Sequence, residues 1–224
     1  MNYRLYFFSF VSFLIYPSAV FAKDIPVQVR LFLGMVAAEP SNTNETLEAQ
    51  GLDKLKNTSQ LGLEITYPLF KYLDVGARYT KILASSEENP ANASTDFNSR
   101  VDQDTVLLIA RVPFLKTDIF RMDAFAGVGG SNTTFRMKTA AQSGELSSKG
   151  PEGWFGSPYA AAGVSAGIGF KYFYLVFESG YAMNKVSSFK RTGNISNNLE
   201  TLDLSGSYFT LGLMFDGVPG SVGK

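Results

Sequence analysis

Residues 159–170 read YAAAGVSAGIGF. Ala160, Ala162, Val164, Ala166, Ile168 and Phe170 share one parity, and Tyr159, Gly163, Ser165, Gly167 and Gly169 share the other. A period of two belongs to a strand, whose successive side chains point to opposite faces. The telling property is size, because the less apolar face carries almost no side chain. Glycine on a face turned to water would only weaken the strand. Inside a narrow closed barrel, small residues must alternate with large ones so that the interior can fill. The stretch therefore reads as a barrel strand with its glycine face inward and its apolar face outward.

The pattern recurs seven times, over 27–35, 60–67, 73–80, 105–112, 122–129, 174–183 and 208–215. In 105–112, Val106, Leu108, Ala110 and Val112 take the outward parity, while Leu107 and Ile109 join Thr105 and Arg111 on the other. The connections alternate in length. Three are short (68–72, 113–120 and 171–173), and four are long (38–58, 83–104, 130–158 and 184–207). Long structureless loops are uncommon in compact soluble domains. In a transmembrane barrel they are expected at the extracellular rim, opposite short periplasmic turns. Tyr67, Phe70, Tyr72, Phe114, Phe120, Phe170, Tyr172 and Phe173 flank the short turns, as aromatic rings at a headgroup level would. The fold class is all-β: an eight-stranded antiparallel up-and-down transmembrane β-barrel with short periplasmic turns and long extracellular loops. A soluble secreted β-barrel binding protein also alternates, with its apolar face inward, and stands as an alternative.

The 22 leading residues, MNYRLYFFSFVSFLIYPSAVFA, place Arg4 before an apolar run that Pro17 ends, and Ala19-Val20-Phe21-Ala22 supplies the small residues of a cleavage site before Lys23. That is the pattern of a secretory signal peptide, and the run is too short to span a bilayer as a helix. The expected organisation is a cleaved signal peptide at 1–22, a barrel at 23–215 and a short polar C-terminal tail at 216–224.

Charge and composition exclude several chemistries. Lys+Arg and Asp+Glu both number 20, so no basic stripe points to nucleic acid. The chain has no His and no Cys, which removes the commonest general base, thiolate chemistry and the commonest transition-metal ligands. No enzymatic activity, cofactor or metal is expected. The acids of the long connections, among them Glu39, Glu45, Glu48, Glu87, Glu88 and Asp96, read as solvating residues or as contacts for divalent cations bridging lipopolysaccharide.

Six charges fall on the inward parity: Arg30, Arg78 and Arg111 against Glu64, Asp123 and Glu178, with Asp74 and Arg121 nearer the short-turn rim. Charges in so narrow a tube must pair, because a lone buried charge costs several kcal/mol. An ion-pair network plugging the lumen is expected; a narrow channel for small solutes is the alternative. In the longest connection, Trp154 and Phe155 form either a partner-binding knob or part of the outer interfacial belt. Residues 43–56 have the spacing of a short helix around Leu47, Leu52 and Leu55.

The leader, the eight alternating segments, the short–long rhythm and the ending YFTLGLMF (208–215) together resemble the small eight-stranded outer-membrane barrels of the OmpA/OmpX type. The resemblance covers residues 26–215. It implies that Tyr208, Phe209, Leu211, Leu213 and Phe215 serve as the C-terminal assembly signal, although Thr210 stands where the signal usually has Gly and nine residues follow Phe215. No peptidoglycan-binding domain is expected after the barrel. The resemblance further implies a bacterial outer-membrane location after signal-peptide cleavage. The implied partners are outer-membrane lipids, lipopolysaccharide, the barrel assembly machinery and periplasmic chaperones. The expected role is that of a structural, surface-exposed barrel presenting four long loops, with an unknown surface ligand as a further partner.

Overall fold

In a computed structural model, the structure describes residues 27–36, 44, 45, 47, 48, 54, 55, 57–86, 98–138, 143–150, 155–170, 172–187, 189–194 and 201–217. The segment 1–22 read as a signal peptide and nearly all of the expected C-terminal tail lie outside these residues, as do Glu39, Glu87, Glu88 and Asp96. Eight strands build the barrel: β1 (Gln28–Val36), β2 (Asn57–Phe70), β3 (Leu73–Ser85), β4 (Asn98–Lys116), β5 (Phe120–Lys138), β7 (Ser157–Phe170), β8 (Phe173–Met183) and β12 (Gly206–Asp216). Between them, among the described residues, fall four shorter strands: β6 (Ser143–Ser148), β9 (Lys185–Ser187), β10 (Lys190–Asn194) and β11 (Thr201–Asp203).

Every barrel strand pairs antiparallel with its neighbours in chain order, and β1 closes on β12, with Gln28 opposite Asp216 and Val36 opposite Tyr208. The result is a closed eight-stranded up-and-down barrel. Its short turns are tight. Only Lys71 and Tyr72 separate β2 from β3, and Thr117 to Ile119 separate β4 from β5. Pro68 and Pro113, expected in the turns, both lie within strands, each at a register shift. An irregularity is where a ladder tolerates a residue that cannot donate.

The parity rule holds around the wall. Leu33, Leu61, Leu108, Val128, Phe170 and Met183 are exposed, whereas Glu64, Arg78, Arg111 and Asp123 are buried. This is the reverse of a soluble barrel, and it makes the outer wall a surface for lipid. The 11 residues of β8, at about 3.4 Å each and a tilt of roughly 40°, rise about 25–30 Å, close to the apolar band of a spanning barrel. Tyr67, Phe70, Tyr72, Phe114, Phe120, Phe170, Tyr172, Phe173 and Phe215 form an exposed aromatic ring at the short-turn end.

The long connections differ from expectation. β4 and β5 are 19 residues each and run well past the apolar band into stretches expected to be loop. β5 exchanges partners on the way, pairing with β7 up to Ser131 and with β6 from Thr133. Beyond the band the polarity inverts: Val101, Phe135, Met137 and Leu146 point inward, while Arg100, Asp102 and Arg136 face out. Leu47 and Leu55 seat among these inward residues together with Ala84, Val186 and Leu202. Asn44, Glu45, Leu47 and Glu48 are helical, and Asn44 exchanges two hydrogen bonds with the Leu55 backbone. The long-connection end is thus a packed apolar cap.

Candidate functional site

The lumen is filled in layers. Nearest the short turns, Arg121 pairs with Asp74 (2.6 Å), Asp123 (3.3 Å) and Asp216 (3.4 Å). Gln28 donates to Asp74 and accepts from Thr66. β12 runs one residue past Phe215, so Asp216 belongs to this layer, where Lys116 also reaches it (3.0 Å).

The next layer holds all six inward charges read from the sequence. Arg111 is wholly buried and donates to Glu64, to Asp123 and to Glu178 (2.6 Å). Arg78 donates to Glu64 (2.7 Å) and grips both oxygens of Glu178 (2.8 Å each). Arg30 donates to Asp123 (2.8 Å) and Ser165 (3.1 Å). Three guanidinium groups and three carboxylates therefore balance within one layer, and each acid touches at least two cations. Fork-shaped guanidinium donors suit this bidentate, branching geometry.

Several members were not read from the sequence as parts of this network. Tyr208 points inward, and its hydroxyl donates to Glu178 (3.1 Å). The rest of the implied assembly signal, Phe209, Leu211, Leu213 and Phe215, faces outward, so the structure divides those five residues between two walls. Ser165 donates to Asp123 (2.8 Å). The guanidinium of Arg78 lies over the rings of Phe32 and Phe125, and that of Arg111 lies over Phe125, where the ring faces attract a cation. The signal was available in each case, because all four residues occupy the inward parity.

Above the charges comes an apolar layer of Ile82, Leu107, Ile109, Phe125, Tyr159, Ala161, Ala182 and Tyr208. A neutral polar layer follows: Asn184 donates to Gln103 (2.7 Å), and Gln103 donates to Thr133 (2.7 Å). The apolar cap lies over it. Trp154 is outside the described residues. Phe155 lies on the outer wall across Gly130, where an added Cβ would meet its ring. Among the described residues no group of three or more His, Cys, Asp or Glu has the arrangement to hold a metal ion.

No protein-family model matches the chain, and no curated protein matches it. Among solved structures, the chain is similar to the attachment invasion locus protein Ail of Yersinia pestis, at 12 % identity, with a TM-score of 0.44 and coverage of 86 % of this chain and 98 % of that one. It is similar to a major outer membrane protein from Thermus thermophilus, at 12 % identity, TM-score 0.47 and 84 % and 98 % coverage. It is also similar to Neisserial surface protein A, at 12 % identity, TM-score 0.40 and 85 % and 95 % coverage.

Proposed function

We propose that this chain is a surface-exposed outer-membrane barrel with a structural or surface-interaction role, whose lumen is closed to solutes. One observation carries the reading: fully buried Arg111 is bonded at once to Glu64, Asp123 and Glu178. A pore would hydrate such a group, and an aqueous path would break bonds that the low-dielectric interior makes strong. The purified protein in planar bilayers is expected to give negligible conductance. Large, stable conductance steps would overturn the closed-lumen reading.

The exposed apolar wall and its aromatic ring support membrane insertion, with the leader of residues 1–22 as the export signal and the cap on the outer surface. Lipids and lipopolysaccharide would surround the wall. The assembly machinery and periplasmic chaperones would handle the chain before insertion, and a ligand of the surface would meet the cap. The role is non-enzymatic, in keeping with a chain that has no His or Cys. Heat-modifiable migration on gels together with detergent-dependent extraction is expected; recovery in the aqueous periplasmic fraction would refute the membrane reading.

A further inference from the structure

β1 and β12 are the first and last strands of the barrel, and closure requires them to meet in register. Their outward pairs are Val29–Phe215, Leu31–Leu213, Leu33–Leu211 and Met35–Phe209. A one-residue slip would turn these side chains into the lumen, so parity forbids it. A two-residue slip keeps both the parity and the hydrogen-bond pattern of an antiparallel ladder. It would set Leu33 against Phe209 or against Leu213, apolar against apolar once more. The lipid-facing wall therefore does not distinguish the native register from its two nearest alternatives.

The inward pairs do distinguish it. Phe32 stands opposite Gly212 on β12 and opposite Gly62 on β2. On the β2 side its ring lies across the glycine, where an added Cβ would fall on the Cε2 and Cζ atoms. On the β12 side an added Cβ would come within 2.5 Å of the Leu31 carbonyl oxygen and 2.9 Å of the Phe32 Cβ. The next inward pair reverses the sizes. Gly34 stands opposite Thr210, and a Cβ at Gly34 would lie 2.8 Å from the Thr210 methyl group. Large meets small and then small meets large, as close packing requires. Either two-residue slip breaks this fit. One sets Phe32 against Thr210 and Gly34 against Tyr208; the other sets Phe32 against Met214 and Gly34 against Gly212. Tyr208 holds β12 from its other side, because its ring lies over Gly180, where a Cβ would meet Cζ and the hydroxyl oxygen at 2.8 Å.

We propose that Phe32 selects the register in which the barrel closes. Flanked by glycine on both sides, it admits β12 beside β1 in the native alignment and rejects the two nearest alternatives. A ring laid over a cross-strand glycine supplies the packing that the glycine lacks, so the same contact that excludes the wrong registers favours the right one. The Arg78 guanidinium rests on this ring, 4.9 Å from its centre. The closing register and the placing of the charged layer are thereby tied to one side chain. This selection concerns how the two strands meet and holds whether or not the closed lumen conducts.

The chain has no Cys, so paired cysteines report the seam directly. The full-length protein, folded into lipid vesicles, carries Leu33→Cys with Leu211→Cys, which meet in the native register. Leu33→Cys with Phe209→Cys, or with Leu213→Cys, meets only after a slip, since diagonal neighbours stand too far apart for a disulfide. Under mild oxidation the native pair is expected to cross-link roughly tenfold more than either slipped pair, the scale set by forcing a side chain into occupied space. Phe32→Ala is expected to bring the three yields within about threefold of one another, with heat-modifiable migration showing a folded barrel. Thr210→Gly keeps Phe32 and clears the space opposite it in one slip only. It is expected to raise the Leu33–Phe209 cross-link about fivefold and leave Leu33–Leu213 unchanged, and it decides the matter if Phe32→Ala does not fold. A loss of packing alone would lower the stability of Phe32→Ala without changing which cysteines meet. Native selectivity retained in folded Phe32→Ala, or no gain of the Leu33–Phe209 cross-link in Thr210→Gly, would overturn the assignment.

Discussion

The charged layer and the apolar cap close the same tube by opposite means. In the charged layer, Arg30, Arg78 and Arg111 face Glu64, Asp123 and Glu178, and closure depends on each group finding its counter-charge. In the cap, Val101, Phe135, Leu146, Val186 and Leu202 close on Leu47 and Leu55 by packing alone. The surroundings explain the choice. Within the membrane the outer wall has to be apolar, so the inward parity is where polar side chains can go. Beyond the membrane the outer wall meets water, and the inward parity becomes an ordinary hydrophobic core. The two layers should therefore fail differently. Loss of one ion leaves its partners stranded in low dielectric, whereas loss of a methyl group leaves a cavity.

Arg111→Met tests that contrast most severely. It leaves three carboxylates facing two guanidinium groups and should destabilise the folded barrel by about 3–5 kcal/mol, read from denaturant unfolding in lipid vesicles. A loss under about 1 kcal/mol would mean that water reaches the network and screens its charges. Leu146→Ala, at a fully buried cap position, should cost about 2–4 kcal/mol. Hydrogen exchange should locate that loss in β5, β6 and β10, with the amides of β1, β2 and β12 unaffected. If both ends lose protection together, the cap and the barrel are one cooperative unit. A double-mutant cycle on Arg78 and Glu178 should return a coupling of about 1–3 kcal/mol, and a value near zero would dissolve the idea of a specific network. Smallest of all, Lys81→Ala breaks an ion pair whose side chains are 41 % and 45 % exposed; it should change stability by less than about 1 kcal/mol.

The architecture was legible because period two, glycine on one parity and alternating connection lengths are local properties of the chain. The inward set Arg30, Glu64, Arg78, Arg111, Asp123 and Glu178 followed from parity, and the structure gathers all six into one layer. Which acid meets which base was not legible, since the shear of the barrel sets the partners at long range; Arg30, for example, reaches Ser165 and Asp123. The cap was missed for a different reason. Polar residues in the long connections suggested loop, yet Val101 lies between Arg100 and Asp102, Leu146 between Glu145 and Ser147, Val186 between Lys185 and Ser187, and Leu202 between Thr201 and Asp203. In these stretches the alternation continues, with its sign changed where the wall leaves the lipid. Leu47 and Leu55 gave no such clue, because their burial depends on strands distant in sequence.

The seam between β1 and β12 carries a consequence for how the molecule comes into being. Its register joins Gln28 to Asp216, so the first and last strands are each other's neighbours. Until β12 has paired with β1, the sheet is open, with an unpaired row of amides and carbonyls along each edge, a template for pairing with other chains. Contacts this distant in sequence also form slowly. The barrel therefore closes only when its first strand meets the eleven residues of β12, and every stage before that meeting leaves both edges open to other chains.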